Sequence, residues 1–155
     1  MNNSGAIYER ISAAGITLVS PGKPAASYVS FVETGKLLFL SGHISKRDGQ
    51  SWVGQLGKDT DTATGVRAAR AIAVDVLGTL QAATGDLSRI ARIVKVLCLV
   101  NSTSEYTDHH IVANGFSDLF EELLGESGKH ARSAFGVAQI PTGACVEVEL
   151  VVELR

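Results

Sequence analysis

The sequence predicts an α+β fold: one mixed sheet, two helices packed on one face of it, and a short N-terminal helix. Two segments, residues 59–83 and 104–124, carry apolar stripes at helical spacing. About five further segments have the length and branched-residue content of strands. The element order is β-β-α-β-α-β-β, and two helices on so few strands cover one face of a single sheet.

Residues 3–14 read as the short helix, with Ile7 and Ile11 four apart, Ser4 as its cap and Gly15 as its stop. Ser20-Pro21-Gly22-Lys23-Pro24 is a stiff connector, so residues 1–19 form a helical extension of one domain spanning 1–155. Residues 28–33 alternate weakly, Thr34-Gly35 turns and residues 36–41 are apolar, the pattern of a β-hairpin. A loop over 45–58 carries Gly49, Gly54, Gly57 and the only tryptophan, Trp52. The first long helix has the stripe Ala69, Ile72, Ala73, Val76, Leu77 and Leu80, with Gly85 placed to end it. Residues 90–100 read as a buried strand. The second helix has the stripe Val112, Phe116, Leu119, Phe120 and Leu123. Strands over 131–140 and 144–154 close the chain, joined around Pro141-Thr142-Gly143. The sheet face without helices needs a cover, and a second copy of the chain is the simplest one.

Composition narrows the function classes. In 155 residues, 45% are hydrophobic and 19% charged, which supports a packed core rather than a disordered chain. The net charge of −2, with basic residues scattered, gives no drive toward nucleic acid or membrane. No run of about 18 apolar residues occurs, and the first ten residues lack the form of a secretory signal. Cys98 and Cys145 lie in apolar runs, as buried thiols of a reducing, cytoplasmic protein do. No CxxC spacing supports a metal, and no Gly-Lys-Ser/Thr follows Gly54 and Gly57 to cradle a phosphate. The expectation from spacing is no metal.

The last strand carries the chemistry. Val146, Val148, Leu150, Val152 and Leu154 share one face; Cys145, Glu147, Glu149, Val151 and Glu153 share the other. With Pro141-Thr142 as a two-residue turn, position 136 faces Glu147, 134 faces Glu149 and 132 faces Val151. Arg132, Ala134 and Gly136 then share the carboxylate face: two nearly bare positions, a guanidinium and an acid. There Arg132 could hold a ligand carboxylate with two prongs, and Glu147 could hold or activate a water. A three-residue turn would instead put these residues on opposite faces.

Ala131-Arg132-Ser133, then Ile140-Pro141, then Cys145-Val146-Glu147-Val148-Glu149 resembles the C-terminal signature of the RidA/YjgF family, once labelled endoribonuclease L-PSP. Tyr28 before Val29, and Leu40-Ser41-Gly42-His43-Ile44, resemble that family's Tyr and its Ser-Gly-Gln-Ile loop. The likeness runs from about Ser20 to Leu154. It implies a chorismate-mutase-like fold of the bacillus type, assembled as a homotrimer with clefts between subunits. It also implies hydrolysis of reactive imines and enamines, such as 2-aminoacrylate, to keto acids and ammonia without a cofactor. By position, Arg132 would grip the substrate carboxylate and Glu147 would orient the water. Tyr28, Ser41, Gly42, His43, Ala134 and Asn114 would line the cleft. The chain departs from the pattern where Ala134 replaces a Cys, His43 a Gln, and Ala113-Asn114 follow Val112 in place of a single Asn. The N-terminal helix and the Trp52 loop add length, so the chain resembles a divergent branch.

Two alternatives accompany the hydrolase: a non-catalytic trimeric module that binds small carboxylate metabolites, and an endoribonuclease or translation inhibitor. The absent basic patch and the absent acid–base His pair count against the last. His109-His110 are adjacent and do not share a helix face, and His130 stands two residues from Arg132.

Overall fold

The computed structural model describes residues 4–155. Its elements are α1 (Ser4–Ala13), β1 (Phe31–Thr34), β2 (Leu37–Ile44), β3 (Lys46–Arg47), β4 (Gln50–Ser51), α2 (Thr62–Thr84), β5 (Ile90–Asn101), α3 (His109–Leu124), β6 (Ala131–Val137) and β7 (Val146–Leu154). Asn3, read above as the first helical residue, lies outside the described residues. Gly15 follows α1 with φ +68, the left-handed conformation that ends a helix.

Helix α2 starts three residues later than expected, because Asp61 rather than Asp59 caps it: the Asp61 carboxylate accepts from the Thr64 amide at 2.7 Å. Gly85 ends it in the left-handed region, donating its amide to the Gln81 carbonyl. Helix α3 begins at His109, five residues later than its apolar pattern implied. The stripes of both helices are buried. Where α2 crosses α3 there is no room for side chains: a Cβ at Gly115 would strike the Val66 carbonyl. The loop over 45–58 contains a hairpin, β3–β4, turning on Asp48-Gly49, both at positive φ. The Arg47 guanidinium lies over Trp52, 5.4 Å from the ring centre.

The main sheet has the order β1-β2-β7-β5-β6. Only β5 and β6 are parallel, and α3 supplies the crossover that a parallel pair requires. The last two strands are therefore not a hairpin. Strand β5 lies between them, and the chain from 141 to 143 is a short 3-10 turn with Thr142 at φ 61. Strand β6 stops at Val137, three residues before its expected end.

The two faces differ sharply. Leu38, Val96, Cys98, Val100, Val148 and Val152 point to the helices and are fully buried against Ile72, Leu77, Phe116 and Phe120. Phe116 and Phe120 stack at 4.8 Å between ring centres. Among the described residues no helix covers the other face. Val32 stands 54% exposed there, Phe39 44% and Phe135 48%. Val32 and Phe39 are cross-strand partners in the row of Val151, and Phe135 lies in the row of Glu147 at the opposite edge of the sheet.

Gly115→Ala is expected to lower unfolding stability by about 1–3 kcal/mol, the usual range for overpacking. Glu122→Ala, which removes only an exposed ion pair with Arg70, is expected to change it by less than about 0.5 kcal/mol. Urea unfolding at constant m-value measures both.

Candidate functional site

The strand register decides which predicted residues meet. Arg132 lies in a row with Val96 and Leu150, Ala134 with Cys98 and Val148, and Gly136 with Val100 and Val146. These rows face the helices. Glu147 lies in a row with Leu99 and Phe135, and Glu149 with Leu97 and Ser133, both on the open face. Arg132, Ala134 and Gly136 therefore do not share a face with Glu147, which corrects the hairpin-based expectation. Arg132 and Glu147 are three residues and two strands apart, roughly 14 Å between Cα atoms at ordinary strand spacings. Two half-sites result.

The first half-site is anionic and lies on the open face. Glu147 is half-buried, and burial, then the neighbouring Glu149, pushes its carboxyl above the usual range. It rests on Gly42, where a Cβ would collide with Glu147 Oε1. Gly42 is bare for that reason. It sits in a β-bulge: β2 spends three residues from Leu40 to His43 while β7 spends two from Leu150 to Val148. The Ser41 hydroxyl donates to the Val29 carbonyl at 2.6 Å and its amide to Ser30 at 3.0 Å, which fixes the strand entry beside Tyr28. Tyr28, Val29, Val32, Phe39, Lys95 and Leu97 line an open depression here. Lys95 donates to the Ser133 hydroxyl at 3.1 Å across to β6.

The second half-site is cationic and lies where β6 meets α3. The Arg132 guanidinium donates to Asn114 Oδ1 at 3.0 Å, to the Ser117 hydroxyl at 3.0 Å and to the His110 carbonyl at 3.1 Å. All three partners are neutral, and among the described residues no carboxylate pairs with it. A guanidinium has five donors, so two remain for a ligand. Ser117 continues the chain to His130 Nε2 at 2.9 Å, and His130 Nδ1 lies 2.6 Å from the Gly128 carbonyl. A carbonyl only accepts, so Nδ1 carries the proton, Nε2 accepts, and the Ser117 hydroxyl donates to it. Arg132 is thus held in place by an ordered relay of hydrogen bonds.

The remaining predicted residues divide as follows. Asn114 touches Arg132, as its helix position requires. Ala134 is half-buried beside Cys98 and packs against the core. His43 turns away from the open face: its row is that of Val148, and its ring bonds to Ser41 and to Thr79 of α2. It does not line the depression as expected. His109 bonds to Ser102 over bare Gly136. Burial pushes the Cys98 thiol up to about 12 and raises Cys145 as well, so neither is a nucleophile at neutral pH. Among the described residues no group of three His, Cys, Asp or Glu could hold a metal, and no helix is long and apolar enough to cross a membrane.

Sequence reasoning missed Ser117, Thr79 and Lys95. Ser117 follows Asn114 by three, on one face of α3, and that spacing could have revealed it. Thr79 is a hydroxyl within the buried stretch of α2, where a polar group must find a partner.

Burial lowers the pKa of His43, His109 and His130. The folded chain then resists protons that the unfolded chain accepts. Stability held above about pH 6.5 is lost as the pH falls toward the depressed folded values. The raised carboxyls of Asp75 and Glu147 act in the opposite sense, gaining stability as the pH falls through their own raised values. The loss of stability between pH 7.5 and 5.5 is expected to be smaller in His130→Gln than in the wild type, as read from urea midpoints at both pH values.

The sequence matches, over residues 8–154, the family described as "YjgF/chorismate_mutase-like, putative endoribonuclease". It is 46% identical over 154 residues to Protein TCP17 of Trypanosoma cruzi, covering 98% of this chain and 96% of that protein. Among solved structures it is similar to Atu1372 of Agrobacterium tumefaciens, a protein of unknown function, at 40% identity and TM-score 0.87. That match covers 98% of this chain and 96% of the other. It is also similar to a "putative endoribonuclease" of Shewanella oneidensis, at 29% identity and TM-score 0.91, covering 96% and 99%.

Proposed function

The chain belongs to the YjgF/chorismate-mutase-like family, and we propose that within it the protein hydrolyses small carboxylate-bearing imines and enamines in a cleft between copies of itself. The carrying observation is the separation of the two half-sites. Arg132 has ligand-ready donors and no acid, Glu147 has a raised pKa and no base, and the two cannot meet within one chain. Three copies that bury their open faces together would bring the β6 edge of one copy to the depression of the next. The exposed Val32, Phe39 and Phe135 supply the apolar drive for that assembly.

In such a cleft Arg132 of one copy grips the substrate carboxylate by a charge-assisted fork. Glu147 of another copy holds a water against the imine carbon and takes its proton as the C–O bond forms. The C=N electron pair goes to nitrogen, which takes that proton back from Glu147 to give the carbinolamine; its hydroxyl then passes its proton to the nitrogen as the C=O bond forms, the C–N bond breaks and ammonia leaves. The balance is imine plus water to keto acid plus ammonia, with no oxidant and no cofactor. A carboxyl raised above its ordinary range is a better base near neutral pH. The buried thiols suit a reducing compartment, the cytoplasm.

Ala134, where the family often has Cys, favours a second reading: a carboxylate-binding module without turnover. A ribonuclease role has less support, since the chain carries a net charge of −2 and no basic patch.

An amino-acid oxidase that generates imines in situ supplies the substrate for the test. The protein is expected to speed keto-acid release, and Arg132→Ala to lower kcat/KM by about a hundredfold or more. Glu147→Gln is expected to lower kcat while 2-oxobutanoate still raises Tm. No acceleration by the wild type, with the Tm shift intact, would replace the hydrolase by the binding module. Light scattering at the mass of one chain would remove both.

A further inference from the structure

We infer that His43 is a positioning residue, tying the Ser41–Gly42 bulge to helix α2 and thereby setting where Glu147 and the Ser41 hydroxyl stand. The inference rests on the placement of the site proposed above, but its geometry is independent of the reaction. His43 Nδ1 lies 2.8 Å from the Ser41 carbonyl, and Nε2 lies 2.8 Å from the Thr79 hydroxyl. The carbonyl can only accept, so Nδ1 carries the proton and Nε2 accepts from Thr79. The ring thus spans two layers of the fold, with the bulge of β2 at one end and the buried face of α2 at the other.

Both ends of this clamp are braced. Thr79 is 1% exposed, and its hydroxyl also lies 3.4 Å from the Asp75 carbonyl one turn earlier. Ser41 is held by its amide on Ser30 and its hydroxyl on Val29, next to Tyr28. Gly42 is the floor under Glu147, with no space even for a Cβ between them. A shift of the bulge therefore moves the carboxylate and the cleft wall together. The charged groups that face the ring are Asp75 from α2 and Lys46 from β3. Burial outweighs the Ser41 hydrogen bond and the Asp75 charge, so the ring stays neutral below its ordinary pKa. If the ring is protonated, Nε2–H donates to Thr79, whose hydroxyl can turn to the Asp75 carbonyl, and the clamp survives.

A bulge carries an unpaired residue and a disrupted ladder, so it needs support from outside the sheet. On the helix side His43 gives it, beside the hold of Val29 and Ser30 on Ser41. The residue is neither a ligand of the substrate nor part of the proton transfer, since both its nitrogens are engaged inside the chain.

The test compares His43→Leu, Thr79→Val and His43→Gln by amide hydrogen exchange and by imine hydrolysis. In His43→Leu and Thr79→Val the amides of Ser41, Gly42 and Ile44 are expected to exchange about tenfold faster or more, with the amides of β5 unchanged. In both, kcat is expected to fall roughly ten- to a hundredfold while KM, governed by Arg132, stays within about threefold. His43→Gln, whose side-chain amide can donate to the Ser41 carbonyl, is expected to restore slow exchange and most of kcat. Unchanged exchange in folded His43→Leu would overturn the inference, as would lost protection with kcat intact. If His43→Leu does not fold, Thr79→Val decides by the same readings. A wild type without hydrolysis overturns the proposed function instead, and exchange alone then decides the clamp.

Discussion

The pairing of β7 with β2 on one side and β5 on the other joins the two halves of the chain, and every feature of the site depends on it. Both neighbours run antiparallel to β7, so β2 and β5 point the same way, each followed by a helix that returns over the same face. Strand β6 can then join only at the far edge of β5, in parallel, after α3. This arrangement buries Val146, Val148, Leu150, Val152 and Leu154 against the helices and sends Glu147, Glu149 and Val151 to the face no helix covers. It also places Arg132 on an edge strand, turned toward α3, two strands away from the carboxylate that would complete its chemistry.

Much of this was legible in the residues themselves. The alternation of Val and Glu in the last strand assigns its two faces, because side chains on a strand have a period of two. The stripes of α2 and α3 name the core, and Gly85 ends α2 in the conformation that a glycine makes accessible. Strand neighbours are a different matter. Pro141-Thr142-Gly143 looks like a tight hairpin turn, yet it joins strands that are not adjacent, since pairing is set by long-range packing and not by the connecting residues. That one misplacement puts Arg132 on the wrong face. The Asp48-Gly49 hairpin, by contrast, carries a local signal that the loop reading passed over. The resemblance of the Ser41-Gly42-His43 loop implies a place in the cleft for His43. Its true direction follows from the extra residue in the bulge, which flips the side chains beyond it and has no mark in a single sequence beyond Gly42 itself.

The two half-sites also share an electrostatic logic. Each is held by neutral hydrogen bonds and packing: Arg132 by Asn114, Ser117 and the His110 carbonyl, Glu147 by the backbone of Gly42. Among the described residues neither charge forms an ion pair. An Arg–Glu pair inside one chain would be quenched, with the base lowered in pKa and the guanidinium occupied. In the proposed function, their separation leaves one free for a carboxylate and the other free for a proton, and assembly brings the two together. On the same proposal the exposed apolar residues of the open face are what the assembly buries.

The most direct test of that division is complementation between two inactive variants. Arg132→Ala and Glu147→Gln chains are unfolded, mixed in equal amounts and refolded together, with each variant alone as a control, and imine hydrolysis is measured. If each cleft takes Arg132 from one copy and Glu147 from another, random assembly restores on the order of a quarter of the sites. A mixture as inactive as its two parents would contradict a site shared between copies.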